Sequence, residues 1–333
     1  MKPTLISGIQ PSGKLHVGNY LGALKNFVAL QNSGKYKCFF FIADLHSLTE
    51  PKTWKKPEEK RGQINEIILS YLAAGLDPEK STIFLQSAVP AHSELAWILN
   101  TLAPLGEMQR MTQFKEKTEK EAANLGLLAY PTLMAADILL YDAGLVPVGN
   151  DQIQHLELTR TLVRKFNKRF GKTFTEPKPL LTRVPRLMNL QDPEKKMSKS
   201  EPEGCVFLDD SPKIMQEKIK RAVTDSDKKI VCDPVGKPAI SNLILMFAEF
   251  SDIDIDKVEG MYAEKGYGDF KKDLGDVLVK TLAPFQEKKG ELKRNMSDVL
   301  EKIQEGNEKA SEYASKKMEE VKHRIGIELD PKK

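Results

Sequence analysis

The sequence predicts an α/β protein: a doubly wound parallel sheet with an appended all-helical domain. Three observations carry this. The apolar segment Thr4-Leu5-Ile6 runs into Ser7-Gly8, a tight turn at Gln10-Pro11-Ser12-Gly13, and a helix pattern opening at His16-Val17-Gly18-Asn19. Further on, Lys37-Cys38-Phe39-Phe40-Phe41-Ile42-Ala43-Asp44 is a continuous apolar run ending in a polar residue, the pattern of a strand buried on both faces. Beyond about residue 207, strand–helix alternation gives way to helical spacing alone, which places a second module after the sheet.

Length and composition bound the function. A chain of 333 residues can hold one large domain with a smaller partner. Cys38, Cys205 and Cys232 are far apart and show no C-x-x-C spacing. This argues against a disulfide framework or a zinc site and leads us to expect no metal ligands and a cytoplasmic location. The first residues contain too short an apolar run for a secretion signal, and no segment approaches the ~18 apolar residues of a membrane span. The net charge of +4 is a weak hint of an anionic partner; residues 150–200, with 12 Lys/Arg against 5 Asp/Glu, are a stronger one.

The first stretch has the form of a nucleotide cradle, because free N–H groups at a helix start favour phosphate. It is neither G-x-G-x-x-G nor a Walker P-loop, and an ordinary strand–turn–helix reads the same way. After the second strand, Asp44 and His46 fall where ligands sit, outside the carboxyl end, although a histidine there also serves as a structural residue. A helix over Glu58–Ala74 ends at Gly75, a suitable C-cap. Ser81 to Gln86 reads as the next strand and Glu94 to Leu102 as the next helix.

Leu127 to Tyr141 is the most informative helix. Tyr130, Met134, Asp137 and Tyr141 share one face. Asp137 stands in apolar surroundings, so its burial needs a hydrogen-bond donor. One reading makes it a partly exposed residue capped by a neighbouring segment. The other supplies the donor as a ligand N–H, and an indole offers one donor and no acceptor. Leu145 to Val148 then forms a short strand ending at Gly149-Asn150-Asp151-Gln152, before a helix over Ile153–Phe166 in which Asp151 could also be the N-cap. Val184 to Met188 is the last candidate strand. Helices are expected over Pro212–Arg221, Asn242–Phe250 and Phe270–Leu282, with loops at Asp233-Pro234 and Gly266-Tyr267-Gly268. An amphipathic helix over Val299–Ile325 should pack on the body by one stripe.

The pentapeptide Lys196-Met197-Ser198-Lys199-Ser200 sets two lysines and two hydroxyls on a loop, chemistry suited to a polyphosphate. Alone it also reads as a solvated basic loop. Paired with His16-Val17-Gly18-Asn19, it resembles the class I aminoacyl-tRNA synthetases. The N-terminal GIQPSG…GNYLGA, with Asn19 where a second histidine is usual, is similar to the bacterial-type tryptophanyl-tRNA synthetases within that class.

The resemblance covers nearly the whole chain and implies a Rossmann-like catalytic domain over residues 1–206. It places a short connecting insertion near 103–125, an anticodon-binding-like helical domain over 207–290, and a C-terminal helix over 291–333 packing back on the body. The insertion segment Gly106 to Lys115 leaves no room for an editing domain, and in the family it builds a homodimer. The implied catalytic groups are His16, Asn19, Lys115, Lys196 and Lys199. ATP would be met by Gln10, Pro11, Ser12, Gly18, Asn19, Gly149, Asn150, Asp151, the backbone at Leu187, and Lys196, Met197, Ser198, Lys199 and Ser200. Tryptophan would be held by Asp137, Tyr130, Met134, Gln152 and His46; Gly149-Asn150-Asp151-Gln152 with His155 matches the family pattern G-x-D-Q-x-x-H.

The implied reaction joins L-tryptophan and ATP into tryptophanyl-AMP and pyrophosphate, then charges the terminal ribose of tRNA(Trp). Mg²⁺ would arrive with ATP, and no membrane is involved. Two alternatives stay open on the sequence: a tyrosyl-tRNA synthetase, and a nucleotide-binding paralogue without ligase activity.

Overall fold

The computed structural model describes residues 2–49, 56–118, 124–149, 152–181, 186–227 and 229–329, with the side chains of 116–118 and 181 left aside. Five strands, β1 (Thr4–Ile9), β2 (Lys37–Ile42), β3 (Ser81–Leu85), β4 (Leu145–Val148) and β5 (Lys178–Leu181), form one sheet in the order β3-β2-β1-β4-β5. Each paired neighbour runs parallel, with Ile6 opposite Phe39 and Phe39 opposite Thr82. The chain winds outward from β1 through β2 and β3, then returns to the other side of β1 for β4 and β5. That reversal makes β1/β4 the switch point, where a crevice opens at the carboxyl ends.

The unbroken apolar run of β2 has a direct explanation. Cys38, Phe40 and Ile42 pack into one core, Phe39 and Phe41 into the other, and all five are buried. Helices on each face demand apolar side chains from both parities of the strand.

On the first face lie α1 (Val17–Asn19), a π-helical turn over Tyr20–Leu24, α2 (Lys25–Asn32) and α3 (Pro57–Ala73). Gly75, just beyond α3, has φ +108°, so glycine is needed there. On the second face, α4 (Ala91–Asn100), α5 (Leu105–Gln109), α6 (Thr112–Thr118), α7 (Leu125–Leu139) and α8 (Ile153–Phe170) follow. The helical module is α9 (Pro212–Arg221), α10 (Pro238–Ser251), α11 (Ile255–Met261) and α12 (Tyr267–Arg294), and α13 (Met296–Ile325) closes the chain.

Some expectations change. Among the described residues the sheet ends with β5, and no strand is found over the described part, 186–188, of the segment expected as the last strand. Residues 184 and 185 lie outside the described residues, and Met188 makes only an isolated antiparallel bridge to Lys196. Tyr267 and Gly268 belong to the first turn of α12, with Gly266 as its N-cap. That helix runs through residue 290, where a boundary was expected, and Lys289 on it is ion-paired with Glu66 of α3 and with Asp209. The module shares one continuous core with β1, β2 and α3.

The long α13 does pack by one stripe: Val299, Ile303, Gly306, Ala310, Ala314, Met318 and Val321 are buried. It covers the edge strand β3. Gly306 lies so close to the Ile83 carbonyl that no Cβ would fit, and Asn307 Oδ1 accepts the Leu85 N–H at 2.9 Å. An edge N–H that would otherwise face water or another chain is thereby satisfied. Among the described residues no helix is long and apolar enough to cross a membrane.

Candidate active site

At the β1/β4 switch point lies a cavity of about 320 Å³ lined by β1, β2, β4, the π-helical turn, α6 and α7, within the ~300–1,000 Å³ typical of small-molecule sites. Of the expected residues, Gln10, His46, Tyr130, Met134, Asp137, Gly149 and Gln152 line it. Gly8 lines it as well, and a Cβ there would stand 2.8 Å from the Phe41 ring and its carbonyl. The π turn adds Gly22 and Ala23. Its loosened carbonyls at Leu21 and Gly22 accept from Asn26 Nδ2 at 3.3 and 3.4 Å, the kind of local widening often found at functional sites.

Asp137 is capped by neighbouring segments, as one of the two readings expected, but it is buried rather than partly exposed. Its carboxylate, 2 % exposed, already has three protein donors. Gln86 Nε2 donates to Oδ1 at 2.7 Å, His92 Nδ1 lies 2.6 Å from Oδ1, and His46 Nε2 lies 2.8 Å from Oδ2. Burial acts to raise its pKa, but the hydrogen bonds and charge of His46 and His92 outweigh it and hold the carboxyl down at about 2. The group is therefore an anion and an acceptor only. Two donors fill Oδ1, which leaves acceptor capacity on Oδ2 for a ligand. His46 lines the cavity while bonded to Asp137, which makes it a structural residue at a position open to a ligand. Tyr141 lies past the end of α7 and bonds His92 Nε2 at 2.9 Å, outside the cavity.

At the other end, Tyr130 donates to Gln113 Oε1 at 2.9 Å and lies 2.6 Å from His155 Nε2. Burial pushes its phenol pKa up, so it stays protonated. Gln113 on α6 carries the insertion to the cavity. Lys115, two residues on, is exposed and does not line it.

The phosphate-type elements meet beside this cavity. His16 caps α1: its Nδ1 accepts the Gly18 N–H at 3.1 Å, while Asn19 Oδ1 accepts the His16 N–H at 3.1 Å. A neutral ring that accepts at Nδ1 carries its proton at Nε2. Burial, with the charges of Lys199 and Lys196, lowers the His16 pKa to about 4. Lys199 Nζ donates to Ser12 Oγ at 3.0 Å and to the Gly13 carbonyl at 3.4 Å, and Gly13 has φ +98°, a conformation that suits glycine. Pro11 is buried and Gln10 exposed, with the Gln10 carbonyl accepting the Ser12 N–H.

The KMSKS segment is anchored rather than free. Met197 is buried, and its N–H bonds the Leu187 carbonyl at 3.0 Å, so this part of the backbone expected to meet ATP already has a protein donor. Lys196 and Ser200 are exposed, and Ser198 Oγ lies 2.9 Å from Ser200 Oγ. A hypothetical Gly18 Cβ would reach both the His16 ring and Leu187 Cβ, which sets Leu187 against α1. The segment after KMSKS then runs back along the first motif: Val17 N–H bonds the Val206 carbonyl and Leu208 N–H the Leu15 carbonyl. Asn150 and Asp151 lie outside the described residues. Asp44 is structural here, since Oδ1 accepts the Ser87 N–H at 2.9 Å. Among the described residues no cluster of three or more His, Cys, Asp or Glu side chains could hold a metal.

Sequence reasoning missed Gln86, His92 and Gln113. The only signal for the first two was polar residues following a buried strand; nothing in their spacing pairs them with Asp137.

The family model described as tRNA synthetases class I (W and Y) matches residues 1–283. The tryptophan–tRNA ligase of Bacillus anthracis is 46% identical over 327 residues, covering 97% of this chain and 98% of that protein. The crystal structure of tryptophanyl-tRNA synthetase from Mycoplasma pneumoniae has a TM-score of 0.88 at 35% identity, covering 100% of this chain and 99% of that one. The Campylobacter jejuni tryptophanyl-tRNA synthetase, complexed with ADP and tryptophan, gives 0.83 at 34% identity over 97% of this chain and 99% of its own.

Proposed function

The chain belongs to the tryptophan and tyrosine branch of the class I tRNA synthetases, and from that membership we infer that it is a tryptophan–tRNA ligase. It activates L-tryptophan with ATP to tryptophanyl-AMP and pyrophosphate, then transfers the amino acid to the 3′-terminal ribose of tRNA(Trp). The observation that carries the choice of amino acid is Asp137: an ionised carboxylate lining a cavity of mixed polar and apolar walls, with room on Oδ2 for one donor and nothing to offer an acceptor. An indole N–H matches it. A phenol, which both donates and accepts, matches it less well.

In the first step the tryptophan carboxylate attacks the α-phosphorus and pyrophosphate leaves. The nucleophile is ionised at neutral pH, so positioning and charge stabilisation are what the protein supplies. His16, held neutral with its proton on Nε2, donates to a phosphate oxygen beside Asn19, while Lys196 and Lys199 close from the KMSKS side. Lys115 adds charge at the phosphates, and Gly149-Asn150-Asp151 meet ATP. Gln152 and Tyr130 hold the ammonium end, and Met134 and His46 wall the ring. Mg²⁺ travels with ATP and neutralises its phosphates.

We assign residues 1–206 to catalysis, 207–290 to the tRNA anticodon arm and 291–333 to bracing the sheet. The enzyme acts as a homodimer in the cytoplasm. What supports the dimer is large exposed apolar side chains: Leu48 and Trp97, which line one pocket with Gly126 and Leu133, and Leu105 and Leu125 within the insertion. Amino-acid-dependent pyrophosphate–ATP exchange, run separately with tryptophan and tyrosine, tests the reading: exchange with tyrosine alone, or with neither, would overturn it.

A further inference from the structure

His92 is fully buried on α4 and does not line the cavity. It is packed among the rings of Phe41, Phe84 and Tyr141, at centroid distances of 6.3, 6.0 and 5.6 Å. A buried imidazole needs partners for both nitrogens, and here both partners are chemically informative: Asp137 Oδ1 at Nδ1 and the Tyr141 hydroxyl at Nε2. The proton that faces the carboxylate can be placed: ionised Asp137 only accepts, so His92 Nδ1 carries a hydrogen. Nε2 faces the Tyr141 hydroxyl at 2.9 Å, a group that can accept from a protonated nitrogen or donate to a bare one. The result is a connected chain of Tyr141, His92 and Asp137, beside the second donor Gln86.

We propose that His92, with Tyr141 behind it, is a positioning residue for amino-acid specificity: together with Gln86 it saturates Asp137 Oδ1, so that Oδ2 alone is offered to the ring N–H of the substrate. This rests on the reading that Asp137 accepts the indole N–H. A carboxylate free to turn, or with a spare lone pair on Oδ1, would meet the ring less selectively. Tyr141→Phe keeps the packing but leaves the buried His92 Nε2 without its partner, which loosens the ring's hold on Asp137, and His92→Leu removes the donor outright.

The test measures kcat/KM in pyrophosphate exchange on the full chain, for tryptophan and for its analogue with sulfur in place of the indole nitrogen, which has no ring donor. Wild type prefers tryptophan. His92→Leu and Tyr141→Phe should each cut that preference about tenfold, the scale of one hydrogen bond to a charged group. The loss should fall mainly on the tryptophan KM, with the ATP KM little changed, and His92→Gln, which keeps an N–H donor, should recover part of it. If both variants keep the wild-type preference and lose only thermal stability, the role is structural and the proposal falls. If His92→Leu does not fold, Tyr141→Phe decides alone. Should wild type itself accept the sulfur analogue equally, the proposal falls together with the Asp137 reading beneath it, an outcome distinct from variants that leave a real preference intact.

Discussion

Lys199 Nζ donates to Ser12 Oγ at 3.0 Å, a contact between residues 187 positions apart. It joins the KMSKS loop to the turn before the first helix, the two segments to which the proposed function gives the phosphates. Two neutral oxygens hold the ammonium. Exchanging them for phosphate oxygens strengthens its contacts most where charge grows on the leaving pyrophosphate.

Lys199→Ala should therefore lower the adenylation rate by about 10²–10³, roughly 3 kcal/mol by analogy with one lost transition-state donor. Tryptophan binding should stay near wild type. Pre-steady-state adenylate formation, with tryptophan titrated separately, checks this. A normal rate with weakened tryptophan binding would remove Lys199 from the transition state.

The same lysine predicts a pH limb. Burial lowers its pKa to about 8, against the opposing effects of Cys205 and Glu66. A lowered lysine pKa means that the charge is present below that value and lost above it. The kcat/KM for ATP, which reports the free enzyme, should fall above pH about 8. Lys199→Arg, always charged, should lack that limb even if its absolute rate is lower; a limb that survives belongs to another group.

Asp137→Asn should weaken tryptophan by roughly 1–3 kcal/mol, the cost of losing a partner to a charged group. The three protein donors add a second consequence. His46, Gln86 and His92 all point hydrogens at the carboxylate, so an amide NH₂ must face at least one of them. Thermal stability should drop as well, measured by unfolding without ligand. An Asn variant of unchanged stability would contradict the proton assignment.

Gly306→Ala tests the bracing of the sheet edge. A Cβ there runs into the Ile83 carbonyl, so α13 must lift from β3, at a cost of about 1–3 kcal/mol. Gly290→Ala, a helical position with room, should instead be neutral or stabilising by up to about 1 kcal/mol. Equal effects in denaturant melts would show that helix propensity, not the contact, is being measured.

Trp97, 71 % exposed, should be covered in the dimer. Trp97→Glu should yield a monomer in analytical ultracentrifugation at micromolar concentration, since an uncompensated charge is costly in an apolar interface. A monomeric wild type, or a dimeric variant, would place the interface elsewhere.

Sequence alone determined the alternation of strand and helix, because period and apolar runs are local properties of the chain. The double-sided burial of Phe39 to Ile42 and the stripe along α13 were legible for that reason. β5 was missed because Lys178 to Leu181 is short and opens on a lysine and a proline, and only its pairing with β4 makes it a strand. Tertiary structure alone decided what holds Asp137. Gln86 and His92 lie 51 and 45 positions away, and hydrogen bonds form by proximity in space, which a linear pattern does not encode. It also decided that Met197 is buried under Leu187, so that a segment reading as a free basic loop is in fact tethered: an apolar side chain among lysines declares its burial only once a core stands beside it.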